Sequence, residues 1–324
     1  MITILVGVFA VSILIGMPIA VAMGFSSLSA LALGGRIPLT LIPQRVVVSL
    51  DSFALMAVPL FILAGQLMNH GGITKRIIAF SNAVVGHIKG GLSHVNVVAS
   101  MIFAGVSGSS TADAAGIGSV LIPAMIEDGY DEDWAIDITA ASSTIGPIIP
   151  PSILMVIYGS ITQLSIGRLF LAGLIPGVAI GLALIVVGYI LAVARKQRSH
   201  SRSSISILWS TFKDAFPALL APLIILFGIT SGIFTATEAG VIAALYALAV
   251  GIYYGEIRWS NLYETLLAVA KNTTVILFII GCAASFGWIL AREQIPQLLT
   301  GFLLTISEDP TIVLLLLAAL ILLI

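Results

Sequence analysis

Residues 169–194 contain no charged side chain, and apolar runs of this kind recur from one end of the 324 residues to the other. A helix needs about 20 apolar residues to cross roughly 30 Å of hydrocarbon. In lipid, only helices and closed barrels satisfy every backbone N–H and C=O internally. Apolar residues make up 59% of the sequence and charged residues 9%, whereas soluble domains are about a quarter charged. The chain therefore reads as an all-α polytopic membrane protein. Its net charge of −1 gives nucleic acid nothing to bind. Met1 is followed directly by apolar residues without a basic leader, so a cleaved signal peptide is not expected. The sequence ends within the apolar run 314–324, and the chain is expected to be C-terminally incomplete.

In chain order, residues 2–16 and 18–34 are predicted as apolar helices parted at Gly16-Met17-Pro18, where proline suits the first turn of the second helix. A connector with Arg36, Pro38, Pro43 and Arg45 is expected to lie along the membrane interface. A helix over 52–69 follows, with Asp51 as its N-cap. Residues 73–97 are too polar to cross. Two apolar segments with interruptions come next. The first is predicted as half-length helices over 94–103 and 112–126 joined at Gly105-Val-Ser-Gly-Ser-Ser-Thr111, a re-entrant hairpin closed by the acidic stretch 127–133. The second is a crossing over 134–160, broken at Ser142-Ser-Thr-Ile-Gly-Pro-Ile-Ile-Pro-Pro151, and another crossing over 168–194 follows it.

After a basic loop from Arg195 to Lys213 the pattern resumes. Helices are expected over 215–231 and 236–254, then a connector over 256–270, a helix over 272–290, and apolar runs from 298 onward. An offset of about 220 residues superimposes the two halves, and five crossings per half, an odd number, would invert the second. The expected division is a helix pair with interfacial arm (1–50), a transport unit (51–166), a closing helix with basic loop (167–213), a second helix pair with arm (214–270), and the start of a second transport unit (271–324). Lys75, Arg76, Lys89, Arg195, Lys196, Arg198, Arg202, Lys213 and Arg258 then share one side, against Arg36, Arg45, Arg168 and Arg292 on the other. By the positive-inside rule the richer side is cytoplasmic and the N-terminus periplasmic.

Backbone groups freed at membrane depth persist only where protein or a polar cavity surrounds them. Gly105 and Gly108 permit tight turns, and Ser107, Ser109, Ser110 and Thr111 offer oxygens suited to a hard cation. Ser110 with Asp113 three residues on would also serve as a variant capping box, and the two roles are compatible. In the second interruption Pro147, Pro150 and Pro151 each remove a helical donor, so carbonyls from Ser143 to Gly146 are expected to lack partners. The helix resuming at Pro151-Ser152 presents an N-terminal dipole that favours a carboxylate. If these pieces form an ion site, oxygens of 107–110 and 143–146 must converge, and a separation above about 10 Å would defeat the assignment.

Asp137 stays open, and Glu238 is either a first-turn dipole partner or a site residue. Cys282 is expected as a small buried hydrophobe. Gly105-Val-Ser107-Gly108 matches the nucleophile motif of rhomboid-type intramembrane proteases, but the only later histidine, His200, falls in a basic loop. With no H-E-x-x-H and no Walker A, the chain is not read as an enzyme.

At GVSGSSTADAAGIG, ASSTIGPIIPPS and GIFTATEAG the sequence resembles the large membrane subunit of the tripartite ATP-independent periplasmic (TRAP) transporters. The resemblance implies sodium-driven import of a small organic acid, such as a C4-dicarboxylate or sialic acid, across the bacterial inner membrane. It implies an inverted-repeat elevator fold with a re-entrant hairpin and broken helices. The implied partners are a small four-helix membrane subunit and a periplasmic substrate-binding protein, with sodium as coupling ion and no other cofactor. Sodium and substrate would meet Ser107, Gly108, Ser109, Ser110, Ser142, Ser143, Thr144, Gly146, Pro147, Pro150 and Pro151, with sodium at Ser107, Ser109, Ser143 and Gly146. The family's second hairpin tip, second broken helix and last crossing do not occur in these residues. Only the first half-site is assigned, and the chain as it stands is not expected to transport. The rival reading is a channel or passive pore with the hairpin as its filter.

Overall fold

The computed structural model describes all residues except Gly35, Arg36, Arg198, His200, Arg258 and Ile324, and the side chains of 259–261 and 323. The parts that Arg36, Arg198 and Arg258 play in the charge count, and His200 in the protease test, thus lie outside the described residues. Among the described residues the secondary structure is wholly helical: α1 (Ile2–Leu14), α2 (Ile19–Gly34), α3 (Leu41–Leu50), a 3-10 turn (Phe53–Met56), α4 (Ala57–His70), α5 (Ile73–Val85), α6 (Gly91–Ser107), α7 (Ser110–Glu127), α8 (Glu132–Ser143), α9 (Ile153–Thr162), α10 (Ile166–Ala194), α11 (Ile205–Thr230), α12 (Ala236–Tyr253), α13 (Trp259–Arg292), α14 (Ile295–Ile306) and α15 (Pro310–Leu323). Among the described residues five stretches are long and apolar enough to cross a membrane: 53–70, α10, α11, α12 and 262–292.

Several boundaries differ from the sequence expectation, each for a local reason. Asp51 caps no helix start. It closes α3 at its C-terminus, and the chain turns at the extended Ser52 before the 3-10 turn. The hairpin arms α6 and α7 have 17 and 18 residues rather than half-length, because α6 continues through Gly105-Val106-Ser107 and stops only at the left-handed Gly108. α1 and α2, with 13 and 16 residues, are shorter than the roughly 20 a straight crossing requires. α11 begins ten residues early, since Ser204 accepts from the Ile207 N–H at 3.3 Å and caps the helix there. From Trp259 onward the connector expected over 256–270 is continuous with the next helix. No proline occurs in α13, and its polar residues Glu264, Lys271 and Asn272 are all compatible with a helix.

The chain divides into two compact units, one of residues 1–51 with 274–324 and one of 52–273, the division falling within α13. In the first unit Leu5, Ala30, Leu31 and Ile289 form a core. Phe9 meets Phe286 at 5.1 Å, and Cys282 is buried beside Gly24, as its apolar context predicts. Arg45 and Arg292 each lie over Trp288, at 5.3 and 5.6 Å.

The second unit is held by close backbone approach. α12 presents Ala239, Gly240, Ala243, Ala244 and Ala247 as buried residues and lies along α4. A Cβ on Gly240 would sit 2.9 Å from the Leu60 Cβ. Lipid tails are as apolar as leucine, so such small-residue contacts, rather than escape from water, drive association inside a bilayer. α12 starts with a complete capping box, in which the Glu238 carboxylate accepts from the Thr235 N–H at 2.8 Å. Glu238 is therefore a helix-start residue, and Asp137 is exposed on α8. Phe103, Ile117, Leu121 and Met68 belong to one core, and Met125, Trp134, Ile138 and Ile145 to another, on either side of α6.

Candidate functional site

The hairpin tip is shaped by Gly108, whose φ is +60°. A Cβ there would fall 2.5 Å from the Pro151 carbonyl, so glycine is needed both for the turn and for the approach of the broken helix. The Gly108 carbonyl in turn accepts from the Ile153 N–H at 3.4 Å. Ser109, not Ser110, is the N-cap of α7: its Oγ accepts from the Ala112 N–H at 3.5 Å and pairs with Thr111 Oγ1 at 2.9 Å. Ser110 is the first helical residue, half-buried, and Thr111 is exposed.

Asp113 does not close a capping box. Its side chain is fully buried. Oδ1 accepts from the Ser107 hydroxyl at 2.5 Å, and Oδ2 has no hydrogen-bond partner. That free oxygen faces the broken helix, since a Cβ built on Gly146 would lie 2.8 Å from it and 3.1 Å from the Ser109 carbonyl. The two interruptions, about 35 residues apart in sequence, thus touch at Ser109–Gly146 and Gly108–Pro151, far inside the 10 Å limit.

Between α8 and α9 the backbone tightens instead of simply opening. Gly146 N–H donates to Ser143 O at 3.0 Å and Ile148 N–H to Ile145 O at 2.9 Å, so the carbonyls of Ser143 and Ile145 are taken, contrary to the expectation that all four would be free. Among the described residues no backbone N–H bonds to the carbonyls of Thr144 and Gly146. The Pro147 carbonyl is occupied by the Ser152 hydroxyl at 2.6 Å, and Ser152 caps α9 by accepting from the Met155 N–H at 3.2 Å. The Ser143 hydroxyl turns back to Ala140 O at 2.8 Å, and that of the exposed Thr144 to Ala141 O at 2.7 Å. Pro150 and Pro151 are buried where α9 begins beside the tip.

Ser142 lies elsewhere. Its hydroxyl donates to Asn96 Oδ1 at 2.9 Å and accepts from Ser100 at 3.0 Å, while Asn96 Nδ2 donates to Thr139 Oγ1 at 2.7 Å. All four side chains are buried, and this satisfied chain ties the first arm of the hairpin to α8. Glycines clear the space around both interruptions. A Cβ on Gly65 of α4 would lie 3.2 Å from the Ser107 Cα, and one on Gly105 would lie 2.8 Å from Pro222 of α11. On α10, a Cβ on Gly173 would come within 2.5 Å of the Ile148 carbonyl, and one on Gly177 within 2.5 Å of the Ile149 side chain.

This pairing of a glycine-serine hairpin tip with a proline-broken helix coincides with a match over residues 6–324 to the family described as tripartite ATP-independent periplasmic transporter, DctM component. The chain belongs to that family. It is 42% identical over 308 residues to the sialic acid TRAP transporter large permease protein of Vibrio cholerae, covering 95% of this chain and 72% of that one. It is 44% identical over 280 residues to the sialic acid TRAP transporter permease protein of Haemophilus influenzae, covering 86% of this chain and 46% of the relative. Against the C4-dicarboxylate TRAP transporter large permease protein of Pseudomonas aeruginosa the identity is 41% over 261 residues, covering 80% and 61%. The chain thus spans from about half to three quarters of the length of these TRAP permeases.

Within this DctM-type chain, the sequence reading missed Asp113 as more than a capping residue and missed Asn96, Ser100 and Thr139 altogether. Asn96 and Ser100 stand four residues apart on one face of an otherwise apolar arm, and Thr139 stands three before Ser142. That polar spacing was the available signal.

Proposed function

We propose that the chain forms the membrane path of a sodium-coupled secondary importer of a small organic acid, of the kind named in its sialic acid and C4-dicarboxylate relatives. The proposed setting is the bacterial inner membrane with the N-terminus periplasmic, a small four-helix membrane subunit alongside, and a periplasmic binding protein delivering the acid. Asp113 carries the reading. A buried carboxylate with a partnerless oxygen is costly, and this one faces Gly146 where the two interruptions touch. Hydroxyl, carboxylate and carbonyl oxygens are a hard-cation donor set. A sodium ion held there would neutralise the carboxylate and link the tip to the break.

Ser107 orients Asp113, the Ser109 carbonyl, which also accepts from the Asp113 N–H at 3.1 Å, and the Gly146 carbonyl would add to the donor set, and the start of α9 at Ser152 offers its dipole to a substrate carboxylate. Ser142 acts through the Asn96 chain by holding α8 against α6, which suits an elevator in which hairpin and broken helix travel together. The test is uptake of labelled acids by the intact transporter in liposomes. Saturable uptake that needs both a sodium gradient and the binding protein supports the proposal, and Ser109→Leu or Gly146→Leu should raise the sodium concentration required. Ohmic single-channel currents would replace it with a pore.

A further inference from the structure

The first turns of α11 are bare. Every residue from 204 to 210 is exposed, with Ile205 at 86% and Trp209 at 58%, so a helix start rich in apolar side chains projects without cover from the described chain. Ile205, Leu208, Trp209, Phe212 and Phe216 follow the three-and-four spacing of one helix face. The base of that face is anchored: Trp209 stacks on Phe212 at 5.7 Å, and Phe212 meets Phe80 of α5 at 5.8 Å. Residues 195–213 carry Arg195, Lys196, Arg198, Arg202 and Lys213 and no carboxylate side chain. Arg195 is engaged by Asp131 at 2.5 Å and lies 5.0 Å from the Trp134 ring centroid. Lys196 and Arg202 are exposed, and the Lys213 ammonium stands 5.5 Å from the Trp209 ring centroid, beside the apolar face. The nearest following acid is the exposed Asp214, and Tyr254 donates to its backbone carbonyl at 2.7 Å.

An indole at the end of an apolar face, with a lysine ammonium beside it, matches the headgroup boundary of a bilayer, where the aromatic sits at the interface and each Lys or Arg gains from anionic lipid. We propose that residues 201–213 dock on the headgroups of an anionic phospholipid, with Trp209 at the boundary and Arg202 and Lys213 on the phosphates. Glu127 and Asp128 lie beside Ser201 and Ser203, and Asp131 holds Arg195, so the cations this face offers to a partner are centred on Arg202 and Lys213. An acidic lipid surface matches them with headgroups at the depth of the indole.

The test uses the intact protein in nanodiscs of phosphatidylcholine doped with a minor share of brominated phosphatidylglycerol or brominated phosphatidylcholine. A Trp209→Phe variant subtracts the emission of Trp134, Trp259 and Trp288. Quenching of the Trp209 signal should be at least about twofold stronger with the brominated phosphatidylglycerol. That preference should vanish in an Arg202→Gln, Lys213→Gln double variant and shrink in high salt, while quenching by the zwitterionic lipid persists. Equal quenching by both headgroups overturns the proposal. So does quenching by neither, which would assign the face to a protein partner.

Discussion

Asp113 shows how far a local pattern reaches and where it stops. A serine followed by an acid three residues later is the signature of a helix start, and Ser110 with Asp113 fits it. The carboxylate instead turns to Ser107, six residues earlier, because the left-handed Gly108 folds the end of α6 back over the start of α7. No linear spacing encodes that meeting. The interruptions themselves were legible, since glycine, proline and serine mark them whatever their surroundings. Two residue-scale outcomes follow. Gly146→Ala would drive a Cβ to 2.8 Å from Asp113 Oδ2 and 3.0 Å from the Ser109 carbonyl carbon. It should lower thermal stability by about 1–3 kcal/mol in detergent and raise the sodium concentration that uptake requires, less than Gly146→Leu does, whereas wild-type stability would contradict the contact. Asn96→Leu strips partners from Thr139 and Ser142. It should cost about 1–3 kcal/mol, read from the unfolding midpoint, and a neutral result would show that the buried chain is not needed to hold α6 on α8.

Among the elements, composition told what crosses lipid better than it told where helices end. The stretch 256–270 looked like a connector because it is polar, yet polarity locates a helix near water without ending it, and α13 already begins at Trp259. The early start of α11 was hidden for a related reason: residues 205–214 mix serine, isoleucine and tryptophan without a clear run, and only the Ser204 cap marks the beginning. The hairpin and the broken helix, by contrast, followed from punctuation alone, although the arms proved longer than expected. Their attachment yields a sharp expectation. Ser100 and Ser142 Oγ atoms lie 3.0 Å apart, a spacing compatible with a disulfide between cysteines at these positions. If the two elements travel as one body, a Ser100→Cys, Ser142→Cys pair, oxidised to completion, should keep most of its uptake. Loss of uptake on oxidation, restored by reductant, would mean that α6 and α8 move against each other.

At the scale of the molecule, hydropathy established a helical membrane protein and three motifs pointed to the family to which the chain belongs. The grouping of residues 1–51 with 274–324 was not legible, because it depends on contacts between segments more than 200 residues apart. Nor were the glycines that α10 sets against the broken helix, since glycine is common throughout this sequence. The central proposal is that a cation is held at Asp113 between tip and break, and thermal unfolding of the purified protein tests it without relying on transport. Sodium should be compared with N-methylglucamine at equal ionic strength, in wild type and in Asp113→Asn. A ligand at about 100 times its Kd stabilises the native state by about 2.7 kcal/mol. The account predicts a sodium-specific stabilisation of that order in wild type and its near-complete loss in Asp113→Asn. Equal stabilisation of both proteins, or none in wild type, would contradict it.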